Sequence, residues 1–303
     1  MMNGFLNILK PPGMTSAAVV AFVRRLTGEK RVGHAGTLDP DACGILPVMV
    51  GRAARLFDYL VDKEKTYVAV CAFGAATDTQ DAGGRIIARG TDYPALEQVR
   101  QAAAAMTGDV WQTPGMYSAI KRNGTPMYEL ARKGQSVEIP PRLVHIESID
   151  ITSEEPDHGF LMTVRCGRGT YIRSICSDLG DAVGCPAHMR FLLRAQSGAF
   201  DLSTAHTLEE LTAAKENGTL AELLLPPDSA LGHIPAAYVP DWLEKQAANG
   251  ARLPVKKLRF DAEPEDGAVL RVYCGGTFRG MALREGDELV WQALIAGNEE
   301  VQA

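Results

Sequence analysis

The 303-residue chain lacks the sequence features that mark several large classes of protein. It has no run of about 18 consecutive apolar residues, so the sequence predicts no transmembrane helix. Its first residues include neither a basic segment nor a long apolar stretch, so we expect no signal peptide. It also lacks the Gly-x-x-x-x-Gly-Lys and Gly-x-Gly-x-x-Gly patterns that bind nucleotide phosphates. Membrane-spanning, secreted and nucleotide-dependent proteins are therefore disfavoured.

Cysteine is scarce and scattered along the chain. The six cysteines form no Cys-x-x-Cys pair, and they stand at positions 43, 71, 166, 176, 185 and 274. This spacing argues against a structural zinc site and against a disulfide framework. Unpaired cysteines are typical of a reducing compartment, so we expect a cytoplasmic protein.

Positive charge is also in short supply, with 31 Lys and Arg against 37 Asp and Glu and a net charge of −6. The deficit is uneven, since residues 1–200 hold 22 basic and 20 acidic residues while residues 201–303 hold 9 and 17. Phosphate contacts require local rather than overall positive charge. The net charge therefore neither supports nor excludes a nucleic-acid partner.

Hydrophobic periodicity predicts strands and helices in an irregular order. Helices are expected after an N-cap at Thr15 or Ser16 and over residues 53–60, 94–106 and 170–183. Strands are expected over residues 5–9, 65–73, 143–151 and 160–166. The absence of a regular βαβ rhythm favours an α+β fold with a mixed, largely antiparallel sheet and flanking helices. Clustered prolines between positions 226 and 240 suggest two domains, 1–235 and a small β-rich module at 236–303.

A glycine-punctuated loop, Gly33-His34-Ala35-Gly36-Thr37-Leu38-Asp39-Pro40-Asp41, presents a carboxylate directly before a proline. The residue before a proline is restricted to extended backbone, so Asp39 is expected on an irregular loop. Most Asp-Pro pairs are solvated surface turns. Turn chemistry alone therefore assigns no function to this loop.

The loop resembles the signature of the tRNA pseudouridine synthase B family, which isomerises a uridine in the T loop of transfer RNA. Four further segments match that family in the same order, and together they extend over residues 4 to 198. They are Lys10-Pro11-Pro12-Gly13-Met14-Thr15-Ser16; Lys65-Thr66-Tyr67 with Thr77-Asp78-Thr79-Gln80-Asp81 and Gly84; Pro114-Gly115-Met116-Tyr117-Ser118-Ala119-Ile120-Lys121 with Tyr128, Ala131 and Arg132; and Gly169-Thr170-Tyr171-Ile172-Arg173-Ser174 with Asp178 and Gly180. The resemblance implies the pseudouridine synthase fold, and residues 275–280 resemble the family's C-terminal PUA-like RNA-binding module.

The resemblance also implies a reaction and a partner. Pseudouridine forms when the bond from ribose C1′ to uracil N1 breaks and C1′ joins C5 of the same base. This isomerisation needs no redox partner, so we expect no cofactor and no metal. The implied partner is the T-arm stem-loop of tRNA, modified at position 55 by a monomer without a guide RNA. A carboxylate can add to C6 of the base or assist departure from C1′, and the family's catalytic aspartate lies at Asp39.

Several side chains are implied to bind the substrate. Tyr67 would place its ring against the uracil with its hydroxyl as a possible proton acceptor, and Tyr171 and Leu192 would form the apolar wall of the pocket. The guanidinium of Arg173 would keep the catalytic carboxylate ionised. His34 would brace the space that the flipped base leaves.

Other residues are implied at the edge of the site. Lys10 would stabilise the catalytic loop or contact backbone phosphate, and Asp81, Lys121 and Arg132 are candidates for RNA contact. The sequence also departs from the family. Gly115 stands where a second proline is usual, and three positions that are commonly Arg, Thr and basic hold Leu193, Ala195 and Gln196.

Alternatives remain open at this stage. Asp39 and Asp41 would suit the acid and base of a cofactor-free glycosidase, although Asp41 is more simply a solvated loop charge. The matching loops would also serve an RNA-binding or tRNA-folding protein in which chemistry is secondary. The guide-RNA-dependent relatives of the family usually carry extra N-terminal sequence and basic tails, which this chain lacks.

Overall fold

The computed structural model describes residues 2–60, 64–115, 117, 121–122, 125–127, 137 and 139–295, with the backbone alone at 121, 122, 125 and 126. The chain divides into two compact units. Unit 1 comprises Met1–Pro40, Ile45–Asp62 and Gly198–Ala303, and unit 2 comprises Asp41–Gly44 and Lys63–Ser197. No helix in the described ranges is long and apolar enough to span a membrane.

The helices are numbered in chain order, and 3-10 helices are left unnumbered. The α-helices are α1 (Ser16–Thr27), α2 (Leu96–Ala104), α3 (Ile172–Val183), α4 (Leu208–Glu216) and α5 (Glu244–Ala248). The 3-10 helices are Gly51–Tyr59, Leu202–Thr204, Leu220–Leu223, Asp241–Leu243 and Val255–Lys257.

The strands follow the same numbering. They are β1 (Gly4–Lys10), β2 (Val32–His34), β3 (Cys43–Val50), β4 (Lys65–Phe73), β5 (Ala75–Thr77), β6 (Ile86–Arg89), β7 (Gly108–Gln112), β8 (Lys121–Arg122), β9 (Thr125–Pro126), β10 (Arg142–Glu155), β11 (Gly159–Cys166), β12 (Ala187–Ser197), β13 (Phe200–Asp201), β14 (Ala236–Val239), β15 (Leu253–Pro254), β16 (Arg259–Phe260), β17 (Val269–Cys274), β18 (Thr277–Glu285) and β19 (Glu288–Leu294).

In unit 1, helix α1 leads from β1 to β2. Its N-cap is Thr15, whose hydroxyl accepts a hydrogen bond from the Ala18 amide. It ends at Gly28, which has a φ of 71°, a left-handed conformation that favours glycine. The apolar residues recur at helical spacing, so Val19, Val20 and Val23 are buried.

The core of unit 1 joins its beginning to its end. The rings of Phe5 and Phe200 pack edge to face with centroids 5.4 Å apart. The same cluster includes Leu231, Phe278 and Met281, all buried. Residues from both sides of the predicted boundary at 235 therefore share one core in unit 1.

Residues 236–295 also form a sheet of their own. Its strand order is β15-β19-β18-β17-β14-β16. A second core cluster lies within it and includes Leu243, Leu253, Val272 and Leu289. The predicted β-rich character of this segment agrees with the strands observed, and the domain boundary at 235 stays a prediction.

In unit 2, strands β12, β4, β11, β10 and β7 are neighbours in that order. All four pairings between them are antiparallel. The first residues of β3 add a parallel pairing, Cys43 with Leu193 and Gly44 with Arg194. Helix α3 packs against β12 and β4, and α2 packs against β10. The predicted α+β class with a mixed, largely antiparallel sheet is confirmed.

Candidate active site

The loop that contains Asp39 begins directly after β2, a short strand of unit 1 that is paired antiparallel. Strand β2 pairs with β3, with His34 opposite Val48, and the Ala35 amide donates to the Pro47 carbonyl at 2.9 Å. Gly36 then turns the chain with a φ of 105°, where a side chain would be strained. His34, predicted to brace the vacated base stack, therefore lies at the last paired position before the loop, half-buried.

Ser16 holds the residue before Asp39. Its hydroxyl accepts from the Leu38 amide at 2.9 Å and donates to the Leu38 carbonyl at 3.1 Å. Both residues are buried, Ser16 at 3% exposure and Leu38 at 3%. Buried backbone groups need partners, so this one side chain satisfies the backbone of Leu38. Of the two predicted N-caps, Thr15 caps α1, which leaves Ser16 for the loop.

Lys10 holds the residue after Asp39. It is completely buried at the end of β1. Its Nζ donates to the carbonyl oxygens of Pro11 at 2.8 Å and Pro40 at 2.9 Å. A buried ammonium is costly unless it is hydrogen-bonded, so these contacts tie β1 to the loop. Whether Lys10 serves the catalytic loop in this way or contacts RNA phosphate stays a prediction.

The two carboxylates of the loop differ in environment. Asp39 is half-buried between the two anchored residues, whereas Asp41 is exposed. Asp41 belongs to unit 2, where its Oδ2 lies 3.9 Å from the position that a Cβ on Gly83 would take. At Gly44 the chain pairs with Arg194 so closely that a Cβ there would overlap the Arg194 backbone. Asp39 is thus the more enclosed of the two candidate carboxylates.

In unit 2, Tyr67 and Leu192 lie on one face of the sheet. Tyr67 on β4 stands opposite Arg194 on β12, and Leu192 stands opposite Ala69. Directly paired residues and residues two apart share a face. Tyr67 is 8% exposed, Leu192 7% and Arg194 1%. This face therefore combines an aromatic ring and an aliphatic side chain with a buried guanidinium.

Tyr171 is held by a glutamine. Gln112 at the end of β7 accepts from the Tyr171 amide at 2.7 Å and donates to the Tyr171 carbonyl at 3.0 Å. Gln112 is only 3% exposed. Tyr171 is also the N-cap residue of α3. The hydroxyl of neighbouring Thr170 donates to the Gly167 carbonyl at 3.1 Å, and Cys166, directly before Gly167, pairs with Lys65 of β4. The start of α3 therefore lies close to the start of β4, the strand of Tyr67.

Arg173 lies in the first turn of α3 and is 6% exposed. Its Nη1 donates to the Thr79 carbonyl at 3.2 Å, and its Nη2 donates to the Tyr117 carbonyl at 2.9 Å. The Asp81 carboxylate lies 3.8 Å from Nη1. The fixed fork of a guanidinium suits such divided contacts. Arg173 thus ties two loops to the start of α3.

Asp81 is engaged inside its own loop. Its Oδ1 accepts from the Thr79 hydroxyl at 2.6 Å and from the Gly83 amide at 3.0 Å. At the start of the same loop, hydrogen bonds from the backbone and side chain of Arg85 lower the pKa of Asp78. Hydrogen bonds therefore cross-link this loop, and an RNA contact of Asp81 stays a prediction.

Some predicted residues fall outside the described part of the chain. Arg132 and the side chain of Lys121 are among them. In the described ranges, no group of three or more His, Cys, Asp and Glu residues could hold a metal ion.

Two family models together match most of the sequence of this chain. The model of the TruB family pseudouridylate synthase N-terminal domain matches residues 24–172, and that of the tRNA pseudouridylate synthase B C-terminal domain matches residues 173–232. A tRNA pseudouridine synthase B of Moorella thermoacetica is 43% identical over 91% of this chain and 91% of its own length. That of Bacillus subtilis is 41% identical over 90% and 93%.

The chain belongs to the TruB family of pseudouridylate synthases. The predicted resemblance is thereby confirmed, as is the expected enzyme class, an isomerase of the tRNA pseudouridine synthase type. A chain from the crystal structure of a Cbf5–Nop10–Gar1 complex is similar in fold, with a TM-score of 0.77 and 25% identity over 98% of this chain and 86% of that one. The predicted pseudouridine synthase fold is confirmed by this similarity.

Residue-level prediction within the TruB family motifs missed two of the anchoring side chains. Ser16 was assigned only to helix capping, and Gln112 was not singled out. Gln112 lies two residues before the matched segment that begins at Pro114, and a glutamine in a short strand is a weak signal for a buried contact. Arg194 was not singled out either, although it is almost completely buried.

Proposed function

We propose that this chain converts the T-loop uridine of tRNA, at position 55, into pseudouridine with Asp39 as the catalytic carboxylate. The observation that carries the proposal is the double anchorage of the Asp39 loop. Ser16 fixes Leu38 and Lys10 fixes Pro40, so the residue between them has a defined position. Catalytic groups need positions held to a fraction of an ångström, and such support is typical of a reacting side chain.

The reaction begins with the target base turned out of the RNA loop, at a cost of a few kcal/mol. The bond from C1′ to N1 breaks, the uracil turns, and C1′ joins C5. The proton on C5 is then lost to solvent, and N1 gains one, so atoms and charge balance. The Asp39 carboxylate either adds to C6 of the base or assists departure from C1′.

The substrate-binding residues have distinct roles in this proposal. Tyr67 and Leu192, which share one face of the sheet of unit 2, present apolar surface to the uracil, and Tyr171 completes the wall. The Tyr67 hydroxyl is suited to accept the C5 proton while it passes its own proton on to solvent. Arg173 supplies the positive charge that favours an ionised carboxylate. His34 stacks in the space that the base leaves.

The partner in this proposal is the T-arm stem-loop of tRNA, bound by a monomer without guide RNA. Support for the substrate comes from relatives at 41% to 43% identity that are named tRNA pseudouridine synthase B. The Cbf5 chain, which was solved with partner proteins, is less similar at 25%.

The C-terminal segment 236–295 is proposed to contact the same RNA. Two cations lie over aromatic rings there, with Lys257 Nζ 5.1 Å from the Trp242 centroid and Arg259 Cζ 4.7 Å from that of Tyr238. Trp242 is 63% exposed. Exposed aromatic rings beside cations suit stacking on bases and contact with phosphates.

Tritium release from a T-arm transcript labelled at uridine C5 tests the proposal. Purified protein should release tritium from the position-55 uridine and leave pseudouridine in its place. A transcript with cytidine at position 55 and labelled uridines elsewhere should release none. Release from other uridines alone, or no release with RNA still bound, would reject the assignment of the substrate position.

A further inference from the structure

Two loops of unit 2 meet the first turn of α3. One follows β5 and contains Thr79 and Asp81, and the other follows β7 and leads to Tyr117. Arg173 donates to a carbonyl on each loop. The single hydroxyl of its neighbour Ser174 lies 3.2 Å from the Thr113 carbonyl oxygen and 3.4 Å from Gln80 Oε1, so its one proton is shared between acceptors on the two loops.

Gln80 stands at the centre of this junction with an unusual backbone. Its φ is 63°, a left-handed conformation that residues other than glycine rarely adopt. Its amide donates to the Thr77 carbonyl at 3.1 Å, and its carbonyl accepts from the Met189 amide at 2.9 Å. Because both backbone groups are engaged, the direction in which the Cα–Cβ bond of Gln80 leaves the backbone is set by the fold.

That side chain points at Gly115 on the other loop. A Cβ on Gly115 would lie only 2.7 Å from Gln80 Oε1. Gly115 does not have a positive φ, so its backbone does not itself require glycine. The missing side chain leaves the space that the Gln80 amide occupies. Gly115 is also the position where this sequence departs from the usual proline.

We propose that Gln80 is a positioning residue for the reaction, whose amide lies between Gly115 and Ser174 and sets the spacing of the two loops that hold the Arg173 guanidinium. The inference rests on the proposed function in assigning Arg173 to the site. Gln80 itself touches no reacting atom. It acts through Arg173, since Thr79 precedes it and Tyr117 lies two residues beyond Gly115.

A double-mutant cycle separates this role from a general loss of packing. Gln80→Ala removes the amide, and Gly115→Ala displaces it, because the added methyl group meets the end of a flexible side chain. Both variants should lower kcat by about tenfold, since small displacements of a positioned group reduce turnover steeply, with KM for the T-arm transcript unchanged. The double variant should lose no more than either single one. Gln101→Ala, an exposed change on α2, should match wild type.

Hydrogen exchange of RNA-free protein gives a second readout that does not depend on turnover. Peptides covering residues 108–115 should exchange faster in Gln80→Ala and Gly115→Ala than in wild type and Gln101→Ala. Wild-type kcat in Gln80→Ala, multiplied losses in the double variant, or unchanged exchange would each overturn the inference. A wild-type protein without turnover would instead fail the proposed function, and the exchange comparison would still decide the role of Gln80.

Discussion

The Ser16 hydroxyl lies 2.9 Å from the amide nitrogen of Leu38 and 3.1 Å from its carbonyl oxygen. One side chain at the start of α1 thus replaces both partners that a strand or helix would supply to this backbone. The Lys10 ammonium donates to the carbonyl of Pro40, which is the one hydrogen-bonding group in the backbone of a proline. The position of Asp39 is therefore set by two residues that precede it by more than twenty positions.

Replacing Ser16 tests this anchorage. Ser16→Ala leaves the buried amide and carbonyl of Leu38 without their partner, and each such group costs about 1–3 kcal/mol. We expect a lower free energy of unfolding, measured with denaturant, and a fall in kcat because the loop moves. A Ser16→Thr variant keeps the hydroxyl but adds a methyl group at a buried position, so it is a poor control. The decisive comparison is with a variant of the neighbouring Thr15.

Thr15→Ala is the matched control for Ser16→Ala. It removes the cap of the same helix, which costs about 0.5–2 kcal/mol, but it leaves both hydrogen bonds to Leu38. The control should therefore lose stability and keep its kcat at temperatures where it is folded. Equal losses of kcat in the two variants would contradict a specific role for Ser16.

Gln112 offers a second test, on the support of Tyr171. Gln112→Met keeps the length of the side chain but loses both hydrogen bonds to the Tyr171 backbone. Stability should fall by about 1–3 kcal/mol, and KM for the T-arm transcript should rise because Tyr171 is loosened. Gln112→Glu keeps the acceptor for the Tyr171 amide, so its stability and its KM should lie between those of wild type and Gln112→Met. A KM unchanged in Gln112→Met would argue against Tyr171 as a pocket wall.

Tyr273 makes stability depend on alkaline pH. Burial and the hydrogen bond to Asp228 raise the pKa of Tyr273 from 10.0 to about 12. Because the pKa is raised on folding, the stabilisation is complete below about pH 10 and is lost as pH rises toward 12. Wild type should be more stable than Tyr273→Phe by about 1–2 kcal/mol at pH 8. That difference should shrink between pH 10 and 11, and a constant difference would contradict the assignment.

The proposed RNA contact of the C-terminal segment predicts a change in salt dependence. Lys257→Ala should weaken T-arm binding and reduce the slope of log affinity against log salt by about 1, because one phosphate contact is lost. Lys215→Ala on α4 removes the same charge elsewhere and should leave the slope unchanged. Equal slopes for Lys257→Ala and wild type would place the RNA away from this surface.

Local pattern was enough to predict much of the fold. The alternation in residues 65–73 predicted strand β4 with its bounds. The helix expected over residues 170–183 covers all of α3, which begins two residues later. Strand β3 was missed because Ile45 to Val50 are all buried, so the strand has a continuous apolar run instead of alternation. Strand β12 was recognised only through motif positions such as Leu192.

The anchoring contacts could not be predicted because their partners are distant in sequence. Ser16 and Leu38 are 22 residues apart, and Gln112 and Tyr171 are 59 apart. A serine at a helix start is ordinarily a cap, and nothing local shows that Thr15 already fills that role. Likewise, the glycine at 115 was noted in the sequence only as a departure from the usual proline, and the sequence does not show that the Gln80 side chain occupies the space beside it.

The most direct test of the account compares Asp39→Asn with Asp41→Asn. Both changes remove one negative charge from the same loop, and only Asp39 lies between the anchored residues. Tritium release from the T-arm transcript, measured beside RNA affinity, should vanish in Asp39→Asn with binding retained and should continue in Asp41→Asn. Turnover by Asp39→Asn, or its loss in Asp41→Asn alone, would contradict Asp39 as the catalytic carboxylate.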